Sequence, residues 1–407
     1  MSHSPGTREK CIEIFYFDAG GGHRNALTAL TRLIEKTHPG WTVVPVDLQA
    51  LLEPIDPVYR LTQRLTGSIK RLLLPVAPGL SMEPIQAQDI YNNALRRGVT
   101  TGMATILPVL QKFIARYSTE IEALLARRWK SPGTTRPDLV VSVIPNFNWA
   151  LFGALRRVHA NVPYFTVITD FADCPPHFWM EDQDQSIICG TDIAYRQALG
   201  TGFYRDENLH LVSGMVLKES FYCQPAPDAP DHRALGLRAD APTGLVMFGG
   251  NGSSRATEAI LSQIDKTGLG IQTIVMCGKN RALMEDLQGR PGCAAIGFVQ
   301  NVADYMRLAD FFIGKPGPGS IAEAIHAGLP VIVEKNANTM PQERPNPDWV
   351  RDKGVGVVVK SFRKDTGQAV RQILRDLPRY KTNITANVPP NRAVFEIVEI
   401  FEKAMGA

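Results

Sequence analysis

The 407-residue sequence predicts an α/β protein built as two units, each with its own parallel sheet. Three observations carry that expectation. An apolar run at residues 12–17 passes through Asp18-Ala19-Gly20-Gly21-Gly22-His23 into a stretch with Leu27, Leu30, Leu33 and Ile34 on one helical stripe. The same order of strand, glycine loop and helix returns at residues 244–248 and Gly249-Gly250-Asn251-Gly252-Ser253-Ser254. Between them the composition shifts to Pro, Ala and Asp at residues 224–230, as expected of a linker.

Taken in order, the first unit is expected to place strands at 12–17, 42–46, 139–144, 164–169 and 186–189, with helical patterns between them. Residues 51–130 fit that alternation poorly and read as a helical insertion. The second unit is expected to place strands at 244–248, 273–277, 294–298, 311–314 and 330–334. A last helical pattern runs over 393–405. The expected division is 1–222 for the first domain, 223–230 for the linker and 231–385 for the second domain. Residues 386–407 form a terminal helix able to pack back on the first.

An apolar fraction of 44% and a charged fraction of 21% are those of a globular chain. The six cysteines form no C-x-x-C pair, which points to reduced thiols and a cytoplasmic setting. Residues 1–10 lack the apolar core of a signal peptide, and no run of about 18 apolar residues appears, so no membrane span is expected. Net charge is only +4, yet residues 51–130 hold 11 Lys/Arg against 6 Asp/Glu. With the apolar Leu72-Leu73-Leu74-Pro75-Val76, that surplus suits an anionic membrane surface. No aromatic-interleaved RNA-binding motif accompanies it, so a nucleic-acid partner is not expected.

The most informative run is Lys315-Pro316-Gly317-Pro318-Gly319-Ser320-Ile321-Ala322-Glu323. An apolar strand enters a Gly/Pro turn, and a short helix from Ser320 is closed by Gly328 and Pro330. Open amides at such a helix mouth suit a phosphate, with Glu323 within reach of what the phosphate carries. Ser320-x-x-Glu323 equally spells a capping box that binds nothing. Gly20-Gly21-Gly22-His23 lacks the spacing of a dinucleotide fingerprint and the Lys-Ser/Thr of a P-loop, which weakens oxidoreductase and kinase readings. His23 at the helix mouth can serve as a general base, with Asp18 at the same strand end to orient it. The loop carrying Asp170, Asp173, His177 and Trp179 suits sugar or lipid, or serves only as a domain interface. Asp182-x-Asp184 reads as a solvated surface turn. Gly250 and Ser253 repeat the phosphate-cradle pattern, Lys279 follows another strand end, and Phe298-Val299 can lie beside a base. Gln342-Glu343-Arg344-Pro345-Asn346 reads as a loop whose amides and carboxylate can meet hydroxyls.

These motifs occur in order over nearly the whole chain, joined by Val212-Ser213-Gly214-Met215, and the chain resembles family 28 glycosyltransferases. It is most similar to the monogalactosyl- and glucosyl-diacylglycerol synthases, and more distantly to the lipid-linked N-acetylglucosaminyltransferase of peptidoglycan synthesis. The resemblance implies a GT-B fold, two Rossmann-like domains facing a central cleft. The donor would lie in the C-terminal domain and the lipid acceptor at a membrane-facing N-terminal domain. It assigns Glu323 to the ribose, Gly317, Gly319, Ser320 and Ser253 to the diphosphate, and Phe298 and Val299 to the uracil. Gln342, Glu343 and Asn346 would take the sugar, with Gly21, Gly22, Gly250 and Lys279 also on the donor. His23 and Asp18 would be catalytic, and Asp170, Asp173, His177 and Trp179 would meet the acceptor. Inversion without cofactor or bound metal is implied.

The function expected is transfer of galactose or glucose from a UDP-sugar to diacylglycerol by a peripheral protein on the inner face of the cell membrane. A transferase using UDP-N-acetylglucosamine and a polyprenyl carrier, a UDP-sugar 2-epimerase, and a nucleotide-sugar-binding scaffold are the alternatives. Two residues depart from the family pattern: Pro175 stands where a His usually precedes the position of Pro176, and Pro345 replaces a Gly.

Overall fold

The computed structural model describes residues 9–17, 21–55, 111–112, 114–250 and 252–406. Asp18, the run 72–76 and most of the basic stretch lie outside them. The first sheet holds β1 (Lys10–Tyr16), β2 (Trp41–Asp47), β3 (Leu139–Ser142), β4 (Tyr164–Val167), β5 (Ser186–Cys189) and β6 (Leu209–Leu211), ordered β2-β1-β3-β4-β5-β6. The second holds β7 (Thr243–Met247), β8 (Gln272–Gly278), β9 (Cys293–Gly297), β10 (Phe311–Gly314), β11 (Val331–Glu334) and β12 (Gly356–Val359), ordered β12-β11-β10-β7-β8-β9. All these pairings are parallel. Parallel strands are covered on both faces, which explains why β3, β4 and β10 are largely apolar and buried at every position. The edge strands β6 and β12 were not anticipated. Three residues at β6 are too few for a periodic signal, and β12 is a Val run whose pairing with β11 is decided only in the fold.

The first sheet is flanked by α1 (Gly22–Thr37), α2 (Leu48–Leu52), α3 (Ser118–Lys130), α4 (Asn148–Val158) and α5 (Asp192–Thr201). The end of the expected insertion is therefore part of this layer: Ile121, Leu125 and Trp129 of α3 pack with Phe15 and Val140. Glu13, buried in β1, accepts from both terminal nitrogens of Arg128 at 3.0 and 2.9 Å and from Trp129 Nε1 at 2.7 Å. Three donors satisfy a carboxylate that would otherwise be costly to bury. Around the second sheet lie α6 (Ser254–Asp265), α7 (Arg281–Asp286), α8 (Val302–Met306), α9 (Pro318–His326), α10 (Pro345–Lys353), α11 (Phe362–Arg375) and α12 (Leu377–Asn387). The last helix, α13 (Ala393–Ala404), returns to the first sheet, where Ile397, Val398 and Phe401 join Leu30 and Ile34 of α1. Ser213 N donates to Glu396 at 2.7 Å and seals that return.

Candidate functional site

In an open parallel sheet, ligands gather beyond the carboxyl ends of the strands where the strand order reverses. That point falls between β1 and β3 in the first sheet and between β7 and β10 in the second. Beyond β1, Gly21 takes φ +86°, a left-handed conformation that suits glycine, and begins α1. Among the described residues no side chain caps α1, and its first turn holds no acid. His23 Nδ1 lies 2.6 Å from the Val143 carbonyl just past β3. A carbonyl only accepts, so Nδ1 carries the proton and Nε2 keeps its lone pair. Thr169 Oγ1 is 3.3 Å from the same nitrogen, and the ring lies between Phe17 (6.5 Å) and Trp179 (6.2 Å). Burial lowers the His23 pKa to about 4, against the rise its Val143 bond gives, so the imidazole is neutral at pH 7.

The loop after β4 joins this group. Trp179 is fully buried, and its Nε1 donates to Asp170 at 3.0 Å. Burial raises the Asp170 pKa to about 7; the Trp179 bond opposes that, and Glu343 of the second unit adds to it while Lys315 pulls it down. Asp170 thus faces the other wall of the cleft. Asp173 is engaged differently: its oxygens accept Trp179 N at 2.7 Å and His177 N at 2.9 Å, which fixes the loop's shape. His177 is exposed at φ +62°, its ring 6.2 Å from Phe203, apart from the His23 group. With Ile114, Asn146, Trp149, Ala150 and Pro176 it lines a recess of about 440 Å³. Sequence reasoning missed Asn146, at φ +67° with a buried Oδ1 that finds no partner among the described residues. The available signal was an Asn in the turn that follows β3, just after Pro145, one of the few residue types that tolerate this conformation.

In the second unit Ser253 begins α6 without a side-chain cap, and the first turn holds no acid. Gly278, at φ +59°, lies so close to the neighbouring loop that a Cβ there would be 2.3 Å from the Gly250 oxygen. Lys279 N donates to that same oxygen at 2.8 Å. Lys279 Nζ stands 5.7 Å from the ring of Phe298, which is 60% exposed beside the partly buried Val299. The long motif differs from expectation in one respect. Gly317 begins α9 with Pro318 as its first residue, so Ser320 is the third helical residue and no side chain caps the helix. The capping box is not formed, because the helix starts two residues earlier than Ser320, at a proline preset for that position. The amides of Gly319 and Ser320 have no intrahelical acceptor at those positions. Burial raises Glu323, one turn on, to about 7, with Lys218 pulling the other way.

Residues expected to form a loop make a 3₁₀ turn, Pro341–Glu343, and then α10. Pro345 is the first residue of α10, so its substitution for glycine leaves a regular helix start. Asn346 is fully buried; its Nδ2 donates to the Pro316 carbonyl at 2.7 Å, while its Oδ1 and Gln342 Oε1 have no partner among the described residues. Glu343 Oε1 accepts from Lys315 Nζ at 2.9 Å. Across the cleft, Phe171 meets Trp349 edge-on at 4.9 Å and Cys174 Sγ donates to the Pro341 carbonyl at 3.2 Å. One wall thus offers a neutral imidazole. The other offers open amides for an anion, a carboxylate for hydroxyls and two amide oxygens in need of donors.

Residues 244–387 match the glycosyltransferase family 28 C-terminal domain. A probable monogalactosyldiacylglycerol synthase 2 of Oryza sativa subsp. indica is 32% identical over 287 residues, 66% of this chain and 59% of that protein. A processive diacylglycerol beta-glucosyltransferase of Bacillus subtilis is 26% identical over 257 residues, 61% of this chain and 64% of that protein. These alignments span about six tenths of the length of the curated relatives. Among solved structures, S. aureus MnaA with UDP superposes with a TM-score of 0.58 at 14% identity, covering 98% of this chain and 97% of that one. Acinetobacter baumannii MurG gives 0.55 at 13%, covering 97% and 99%. Those structural likenesses show the fold, two Rossmann-like domains facing a central cleft in the GT-B arrangement.

Proposed function

We propose that this chain, which carries a glycosyltransferase family 28 C-terminal domain at residues 244–387, moves galactose or glucose from a UDP-sugar to diacylglycerol with inversion at the anomeric carbon. The observation that carries the reading is the pair of buried oxygens, Gln342 Oε1 and Asn346 Oδ1, left without donors among the described residues behind the uncapped mouth of α9. Sugar hydroxyls supply such donors, and a diphosphate suits open amides at a helix's positive end. The names of the rice and Bacillus relatives support diacylglycerol as acceptor and a hexose as cargo.

In this reading Gly317, Gly319, Ser320, Gly250 and Ser253 surround the diphosphate, Glu323 takes the ribose hydroxyls and Phe298 with Val299 meets the uracil. The cleft holds both substrates in line, which removes much of the entropic barrier. The acceptor oxygen forms a bond to the anomeric carbon as that carbon's bond to the diphosphate oxygen breaks, its electron pair leaving with UDP. The acceptor proton passes to His23 Nε2, which is free because Nδ1–H is committed to Val143. Open amides stabilise the charge that develops on the leaving group. The recess lined by Ile114, Trp149 and Ala150 accommodates the lipid.

Among the described residues no helix is long and apolar enough to cross a membrane. We place the work at the inner face of the membrane, reached through the basic stretch 51–130. Incubation with UDP-galactose or UDP-glucose and diacylglycerol vesicles tests the reading. A glycosyldiacylglycerol is the expected product; transfer only to a polyprenyl phosphate, or epimerised donor alone, replaces this reading with one of its alternatives.

A further inference from the structure

We infer that Lys315 is the cation that meets the donor's diphosphate and takes up its charge as UDP leaves, and that Glu343 is the positioning residue that holds it there. The inference rests on the UDP-sugar reading of the same site. It starts from where the side chain lies. Lys315 directly follows β10, at the reversal point of the second sheet, and the chain then turns at Gly317 into α9. The side chain folds back over that turn: the Cβ position of Gly317 is 3.3 Å from Lys315 Cε, 3.7 Å from its Nζ and 3.6 Å from Glu343 Oε1. The ammonium therefore stands over the residue that begins α9, where the amides of Gly319 and Ser320 open outward.

A cation is out of place at the positive end of a helix unless an anion accompanies it. Here Glu343 supplies the anion, at 2.9 Å, and Asp170 adds negative charge from the opposite wall. The two partners differ in access: the Glu343 side chain is 11% exposed and that of Lys315 is 45% exposed. A pair that served only to tie β10 to the 3₁₀ turn would gain little in so open a setting. A cation held by a buried carboxylate and left open toward the cleft is arranged for a visiting anion. Behind the same turn, fully buried Asn346 keeps its Oδ1 unpartnered among the described residues, a second sign that a ligand completes this place. Lys279, another lysine near the donor residues, is directed to the Phe298 ring instead.

Calorimetric titration of the full chain with UDP and with uridine tests the assignment. Lys315→Met is expected to weaken UDP about ten- to hundredfold and leave uridine unchanged, because only UDP carries the diphosphate. Lys315→Arg restores most of the loss, and Lys279→Met weakens UDP and uridine alike. Glu343→Gln weakens UDP less than Lys315→Met does, and the double variant loses no more UDP affinity than Lys315→Met alone, as expected when one residue acts through the other. Unaltered UDP affinity in Lys315→Met, or equal loss of UDP and uridine, overturns the inference while the donor reading stands. Absence of UDP binding by the unaltered chain overturns both. Thermal melts of each variant confirm that folded protein is compared.

Discussion

The glycine loops after β1 and β7 occupy equivalent places in the two sheets, and each opens a helix that no side chain caps among the described residues. Their surroundings differ. Around the first loop the groups beside His23 satisfy one another: His23 Nδ1 pairs with Val143, Trp179 with Asp170, and Asp173 with two loop amides, while Asn146 Oδ1 in the neighbouring recess has no partner among the described residues. Around the second, among the described residues, Gln342 Oε1 and Asn346 Oδ1 are left without donors. The first wall is assembled in advance, as a proton acceptor must be. The second wall is incomplete until something rich in hydrogen-bond donors and negative charge arrives.

Breaking the first wall has the largest expected effect. His23→Ala lowers kcat about 10²- to 10⁴-fold while UDP affinity in calorimetry stays unchanged, because the imidazole serves the acceptor alone. Full turnover by this variant would move the proton acceptor elsewhere. The same residue shapes stability against pH. Its folded pKa of about 4 is below the ordinary histidine value, so below the latter the unfolded chain gains a proton that the folded chain refuses. Stability is then lost as pH falls toward 4, and thermal melts should show His23→Ala losing less over that window.

On the second wall, Glu323→Gln is expected to weaken UDP about ten- to hundredfold, the worth of a hydrogen bond to a charged group. Its folded pKa of about 7 is above the ordinary carboxylate value, so between the two the folded chain holds a proton that the unfolded chain lacks, and stability falls as pH rises through the window. Melts at pH 8 should show the variant more stable than the unaltered chain, with the difference closing near pH 4. UDP affinity of the unaltered chain should fall below pH 7, where the carboxylate is lost, and that of the variant should stay flat.

Two smaller changes sharpen the comparison within the donor wall. Gly278→Ala places a Cβ 2.3 Å from the Gly250 oxygen at φ +59°, and a loss of about 1–3 kcal/mol is expected in denaturant unfolding, together with weaker UDP binding. Phe298→Ala removes an exposed ring, so melts should barely change. UDP affinity should fall by a factor of about two to ten, an aromatic stacking contribution. An unchanged affinity would remove the ring from the base site.

Strands such as β7 and β10 were legible because buried parallel strands read as apolar runs, and the glycine loops because clustered glycines punctuate any pattern. The start of α9 was misread by two residues, since Ser320 and Glu323 spell a capping box while Pro318 quietly supplies the first helical position. Residues 342–346 read as a loop because the prolines at 341, 345 and 347 mask a helix that is held by Trp349 and Val350 in the core of the second unit. Asn146 and Lys315 acquire meaning only from neighbours far along the chain.

What the sequence determined by itself is local: apolar runs, glycine turns and the residue types at strand ends, each set by chain geometry within a few positions. The tertiary structure alone decided which of those ends meet. It brought the Val143 carbonyl to His23 across 120 positions, set Lys315 beside Glu343, and turned Asp170 toward both from the other sheet. Proton state, unpartnered oxygens and the position of a cation over a helix mouth depend on burial and on distance in space, and neither quantity is written in the order of the residues.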